Sequence, residues 1–209
     1  MDKYIDFKEF VDTEKLKFVA NEMRNGKIVV FPTETVYGIG TNGLNEASVQ
    51  KLYEIRNRPT TKPISLLVSD ISMAEKYTKS ISDIEYKIMS AFFPGPLTIV
   101  LRKDAMVPNI TTANSDFVGI RIPEGNIARK LVSYSGVPIA APSANIAGHP
   151  SGTNIESIIA DFNDTVDYFI DSGNSKLGQA STVVKVENGV PVILREGNIS
   201  LEEIKKVIL

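Results

Sequence analysis

An α/β fold with a mixed sheet is predicted by three features of the chain. Short β-branched runs alternate with capped amphipathic segments as far as about residue 141, the pattern of strands layered against helices. Several of these runs end directly in loops rich in Thr, Ser, Asn and Arg, as strands do where a sheet edge carries a site. Glu187-Asn188-Gly189 separates two further apolar runs, and an Asn-Gly turn in that setting signals a hairpin, hence an antiparallel pair.

Taken in order, Asp12 or Thr13 caps a helix with Leu16, Val19, Ala20 and Met23 on one face, and Gly26 stops it. Ile28 to Phe31 reads as a buried strand that breaks at Pro32 into Thr33-Glu34-Thr35 and then Tyr37-Gly38; this is either a site or a strand-turn-strand corner whose Thr residues satisfy local backbone groups. Asn45 caps a helix with Val49, Leu52 and Tyr53 inward, which delivers Arg56, Arg58 and Lys62 to a loop held open by Pro59 and Pro63. Ile64 to Val68 is a strand, and Asp70 and Ser82 cap two helices that end at Pro94-Gly95-Pro96. Strands at Leu97 to Leu101 and Phe117 to Ile122, a helix from Asn126 to Ser135 and an apolar run from Val137 to Ala141 follow. Pro142 to Thr153 is a second polar loop directly after a strand, and Thr153 and Glu156 are spaced as a capping box for a helix from Asn154 toward Phe162. The hairpin joins Ser181 to Val186 with Val190 to Leu194, Arg195 lies just beyond it, and Ser200 with Glu203 caps a closing helix.

The 209 residues are enough for one domain with a substantial core, and one domain is expected. With no Cys and a single His, disulfides, thiolate nucleophiles and multi-histidine metal sites are excluded. The 23 basic and 25 acidic residues nearly cancel, so a polyanion must be met by a local cluster and not by overall charge. The N-terminus is too charged for a secretory signal, and no apolar run approaches bilayer length. A cytoplasmic protein without membrane contact is expected.

The polar residues on strand-end loops are Thr33, Thr35, Arg56, Arg58, Lys62, Arg121, Ser143, Asn145, Ser151, Ser181 and Arg195. Guanidinium forks and hydroxyls in this proportion suit a ligand with phosphates and a carboxylate. Neither common nucleotide cradle, G-x-x-x-x-G-K-S/T or G-x-G-x-x-G, is present. Each residue also has a plainer use: Arg56 and Arg58 as solvated charges on a helix end, Ser143 and Asn145 as cap or turn residues, His149 as an exposed loop residue, and Glu34 as a lone carboxylate rather than a base.

PTETVYGIG, the Arg56-x-Arg58-Pro59 loop with Lys62-Pro63, FFPGPLT, GIRIP, APSAN followed by SG, STVV and LREG occur here in the order found in the YrdC-like threonylcarbamoyl-AMP synthases, and from about Lys27 to Arg195 the chain resembles that family. The resemblance implies a twisted mixed α/β sheet around a large, positively lined concave cavity. It also implies an enzyme that condenses L-threonine, bicarbonate and ATP, with Mg²⁺, into threonylcarbamoyl-AMP and pyrophosphate, and a partner threonylcarbamoyl transferase complex that acts on tRNA. By resemblance Arg56, Arg58, Ser143 and Asn145 are catalytic; Arg58, Lys62, Ser143, Asn145, Ser151 and Arg195 bind ATP; and Thr33, Thr35, Arg121, the backbone at Ala141, and Ser181 bind threonine.

Two positions depart from the family: Arg56 stands where Lys is usual, and Leu67 where longer members often carry a His against the amino acid. The shorter, single-domain type is expected. Two alternatives remain at this stage. One is a module that binds tRNA or double-stranded RNA through phosphates, with steep salt dependence; the other is a paralogue with another carbamoyl acceptor.

Overall fold

The computed structural model describes residues 2–208. Its centre is one mixed sheet of ten strands in the order β1-β8-β2-β3-β7-β4-β6-β5-β9-β10. In chain order these are β1 (Tyr4–Asp6), β2 (Val29–Phe31), β3 (Gly38–Asn42), β4 (Leu66–Leu67), β5 (Leu97–Arg102), β6 (Phe117–Arg121), β7 (Ile139–Ala140), β8 (Tyr168–Asp171), β9 (Thr182–Glu187) and β10 (Val190–Arg195). The pairs β1–β8, β2–β8, β4–β6 and β5–β9 are parallel and the rest antiparallel, so the mixed α/β expectation holds. Among the described residues no helix is long and apolar enough to cross a membrane.

Most of the helices begin where a side chain supplies an acceptor for the orphan N–H groups. Asp12 caps α1 (Thr13–Arg24), Asn45 caps α2 (Glu46–Ile55), Asp70 caps α3 (Ile71–Lys76), and Ser82 with Glu85 forms a full capping box on α4 (Asp83–Phe92). Helix α5 (Asn126–Ser135) ends at Gly136 in the left-handed conformation, and Ser200 and Glu203 bond reciprocally at the start of α7 (Leu201–Ile208). The capping box read at Thr153 and Glu156 is corrected. Helix α6 spans only Glu156–Phe162, so Glu156 opens the helix rather than closing its first turn, and the Asn154 carboxamide takes the Ser157 N–H at 3.0 Å instead. Arg195 lies inside β10, past a register shift after Ile193, and not beyond the strand. The turn Asn188-Gly189 has both residues at positive φ, 51° and 81°, as a two-residue hairpin requires.

Side chains alternate across a strand, and here the alternation separates two cores. Val30, Leu66, Ala140 and Phe169 join a large cluster with α2, α4, α6 and α7 residues, while their neighbours Val29, Phe31, Leu67, Ile139 and Ile170 join a second cluster with α1 and α5. Leu16, Val19, Ala20 and Met23 of α1 are fully buried there; the larger ones contribute roughly 1.5–3 kcal/mol each relative to exposure. On the same face of β4, β6, β5 and β9, the residues alternating with core Leu66, Ile120, Ile99 and Val184 are Leu67, Arg121, Gly119, Thr98, Val100, Val183 and Lys185, and these line a cavity. Helices α1 and α5 thus cover one half of this face and the other half is the floor of a hollow.

Strand β3 makes the segment after β2 the strand-turn-strand corner that was one of its two readings, with Gly38 and Gly40 inside the strand. A Cβ at Gly40 would stand 2.8 Å from Ile139 and 3.0 Å from the Phe31 ring, so the strand between β2 and β7 needs a residue without one.

Candidate functional site

The cavity over the uncovered half of the sheet encloses about 570 Å³. Arg58, Lys62, Arg121, Lys185 and Arg195 line it, and among the described residues no carboxylate does. Its walls come from six places: the Thr35-Val36 turn after β2, the loop after α2, the end of β6, the end of β7, the start of β9 and the end of β10.

Arg58 is half-buried, and it clamps its own loop by donating from Nε to the Lys62 carbonyl (3.2 Å) and from Nη2 to that of Pro63 (2.8 Å). Arg195 donates from Nε and Nη2 to the Ser181 carbonyl (3.1 and 2.7 Å) and from Nη2 to Ser181 Oγ (3.1 Å). Its pKa is lowered, first by partial burial and then by the charges of Arg121 and Arg58. Arg121 and Arg58 therefore both sit within electrostatic reach of Arg195, an arrangement that an anion relieves. Arg121 donates from Nε to the Gly95 carbonyl (3.2 Å) and from Nη2 to Glu34 Oε1 (2.5 Å).

The hydroxyls have defined polarity. Thr33 Oγ1 donates to the Val36 carbonyl (2.6 Å), so in its 2.8 Å contact with Thr35 Oγ1 it accepts, and Thr35 turns lone pairs toward the cavity. Ser143 Oγ donates to Asn145 Oδ1 (2.6 Å); the Asn145 amide is oriented because its Nδ2 donates to the carbonyls of Ile146 and His149, both at 2.9 Å. Ser143 therefore also presents lone pairs. Ser181 Oγ lies 2.8 Å from Thr98 Oγ1, and since Ser181 also accepts from Arg195, this hydroxyl pair keeps one O–H for a ligand.

Of the residues singled out in sequence, Thr35, Arg58, Lys62, Arg121, Ala141, Ser143, Ser181 and Arg195 line this one cavity. The others do not. Thr33 lies behind Thr35, and Ser151 lines a separate hollow of about 230 Å³ beside Asn145. Arg56, read as a solvated charge in its plainer use, is 2% exposed. Its Nε and Nη2 donate to the Asn145 carbonyl (3.1 Å) and Oδ1 (3.2 Å), and its Nη1 has no partner among the described residues. Burial pulls its pKa down to about 10, still well above neutrality. Arg56 thus braces the Ser143–Asn145 loop from behind. Glu34, considered as a base, is likewise outside the cavity, bonded to Arg121. His149 is exposed as read.

Sequence reasoning missed Ser65, Thr98, Phe117 and Lys185 in the lining. Period-two alternation was the available signal: Thr98 and Lys185 are the positions next to core Ile99 and Val184.

A family profile described as Telomere recombination, covering Sua5, YciO and YrdC, matches residues 21–197. The threonylcarbamoyl-AMP synthase of Pyrococcus abyssi is 41% identical over 98% of this chain and 60% of its own length; the putative threonylcarbamoyl-AMP synthase of Methanocaldococcus jannaschii is 41% identical over 91% of this chain and 89% of its own. The crystal structure of Pyrococcus abyssi Sua5 complexed with L-threonine superposes with a TM-score of 0.95 at 40% identity, over 98% of this chain and 60% of that one. The chain spans about three fifths of the Pyrococcus protein in both comparisons. The match over most of the chain, together with a shared sheet, establishes that it belongs to the Sua5/YciO/YrdC family.

Proposed function

We propose that the chain condenses L-threonine, bicarbonate and ATP to threonylcarbamoyl-AMP and pyrophosphate, for later transfer to tRNA by a partner transferase. One observation carries this reading: Arg58, Arg121, Ser143 and Arg195, far apart in sequence, share a single cavity with no carboxylate among the described residues of its lining, in a family whose Pyrococcus member binds L-threonine.

In this reading the threonine carboxylate meets Arg121, its hydroxyl meets the Ser181–Thr98 pair, and its amine donates to the lone pairs of Thr35. Bicarbonate takes up a proton and loses water to give carbon dioxide, the neutral amine adds to its carbon and gives up a proton to solvent as the carbamate forms, and a carbamate oxygen attacks the α-phosphorus while the bond to the departing pyrophosphate breaks. No protein nucleophile is required. Arg58, Lys62 and Arg195 hold the phosphates and offset their charge, while Arg56, Asn145 and Ser151 shape the adjoining loop; two anions held close together lower the barrier by proximity and electrostatics. The described residues include no cluster of three or more His, Cys, Asp or Glu that would hold a metal, and the cation-rich lining fits a Mg²⁺ ion that stays on the triphosphate, where it would supply further charge neutralisation.

Pyrophosphate release from ATP, with threonine and bicarbonate left out in turn, tests the proposal. Each omission is expected to abolish release; release indifferent to both overturns it in favour of another acceptor.

A further inference from the structure

The cavity has one buried anion close behind it, and that anion is not part of its lining. Glu34 is 6% exposed and Arg121 7%. Both Glu34 oxygens act as acceptors: Oε1 takes Arg121 Nη2 at 2.5 Å, and Oε2 faces the N–H of Gly125, the residue before α5, at 3.4 Å. The Gly95 carbonyl fixes Arg121 Nε from the other side. A guanidinium has five N–H donors in a rigid fork; held by Nε and one Nη2 hydrogen, it turns its remaining edge to the hollow that Arg121 lines.

We propose that Glu34 is a positioning residue: it locks the Arg121 fork between β6 and α5 so that the free edge is preset for the carboxylate of an α-amino acid. The inference rests on the reading in which Arg121 receives that carboxylate, and it assigns a role that the cavity lining alone does not reveal. A neutral amide at this position keeps the shape but turns one acceptor into a donor, placing an NH₂ group against either Arg121 or the Gly125 N–H. Orientation is then lost while the phosphate side of the cavity is untouched.

The test uses the full chain and the variants Glu34→Gln, Glu34→Asp, Arg121→Gln and the double variant Glu34→Gln/Arg121→Gln, with fold checked by circular dichroism. In threonine-dependent pyrophosphate release, Glu34→Gln should raise the threonine KM about tenfold to a hundredfold, the loss of one charge-assisted contact. Its kcat and ATP KM should stay within about threefold. In the Arg121→Gln background, Glu34→Gln should add nothing, because its effect passes through Arg121. An unchanged KM in folded Glu34→Gln, additive effects in the double variant, or a fall in kcat alone overturns the proposal. If Glu34→Gln does not fold, Glu34→Asp, which keeps the charge and shortens the reach, must raise the KM by itself; an unchanged KM there overturns it equally. Thermal shifts with a panel of α-amino acids and no ATP separate this inference from the reading of function. A wild-type protein stabilised by an amino acid other than threonine, with the shift lost in Glu34→Gln, would sustain the positioning role and sink the synthase reading. A wild type stabilised by none of them would sink the positioning role.

Discussion

Replacing Arg56 by Met asks whether this guanidinium touches substrate or only the loop beside it. The side chain is 2% exposed and makes two bonds to Asn145, which at roughly 1.5–3 kcal/mol each amount to a gross loss of about 3–6 kcal/mol. Against this, Met removes a buried cation with an orphaned Nη1. The fall in pKa from 12.5 to about 10 corresponds, at about 1.4 kcal/mol per decade, to a burial penalty of about 3 kcal/mol that the variant no longer bears. The net cost should be about 0–3 kcal/mol, read as a shift in urea midpoint at unchanged slope. Activity should fall only about tenfold, because the Ser143–Asn145 bond and the backbone bond from Ala147 N to the Arg56 carbonyl persist without the guanidinium. A well-folded Arg56→Met with pyrophosphate release reduced by more than about a thousandfold would refute the bracing role and put the guanidinium on the substrate.

Three further outcomes follow from the same geometry. Arg58→Ala should abolish most adenylate formation at a stability cost of about 1–2 kcal/mol for its two carbonyl bonds, more than the negligible cost expected of a solvated charge; normal turnover in folded protein would remove Arg58 from the mechanism. Thr98→Val, an isosteric change at a 2% exposed position, should raise the threonine KM about tenfold with little change in the ATP KM, and an unaltered threonine dependence would contradict the hydroxyl pair. Asp171 is 1% exposed; burial alone would raise its pKa, but bonds from Lys8, Tyr4 and the Gly173 N–H outweigh it and hold the pKa below the usual carboxylate range. The unfolded chain therefore binds the proton more readily, so the stability Asp171 contributes is present above the ordinary carboxylate pKa and is lost as pH falls through the lowered one. Melts from pH 7 down to pH 3 should show less acid sensitivity in Asp171→Asn than in wild type, and parallel curves would exclude this residue as a source of it.

The helix starts were legible because capping is local chemistry: Asp12, Asn45, Asp70, Ser82 and Ser200 each sit at the observed boundary. Strands β1 and β8 were not. Tyr4–Asp6 and Tyr168–Asp171 are too short to show a period, and they are strands because they pair in parallel with each other and β8 with β2, information held by distant residues. At the site, the order of motifs indicated that Arg58, Arg121, Ser143 and Arg195 belong together, and one cavity contains them. Which side of the wall a residue occupies was hidden. Arg56 and Arg58 are two positions apart, yet Asn57 between them has φ 48°, a left-handed turn that sends one guanidinium inward behind Asn145 and leaves the other on the cavity. Thr33 and Thr35 divide in the same way, one hydroxyl serving to orient the other.

The hairpin of β9 and β10 joins the sheet through a parallel pairing with β5, some eighty residues earlier in the chain, and it brings Ser181, Lys185 and Arg195 with it. Contacts that span so much sequence form late, after the loop-closure entropy of the intervening segment has been overcome. Without that hairpin the cavity loses the wall that carries Ser181, Lys185 and Arg195, and Arg58, Lys62 and Arg121 are left facing an open trough. Closure of the hollow is thus tied to the docking of the last hairpin alongside β5.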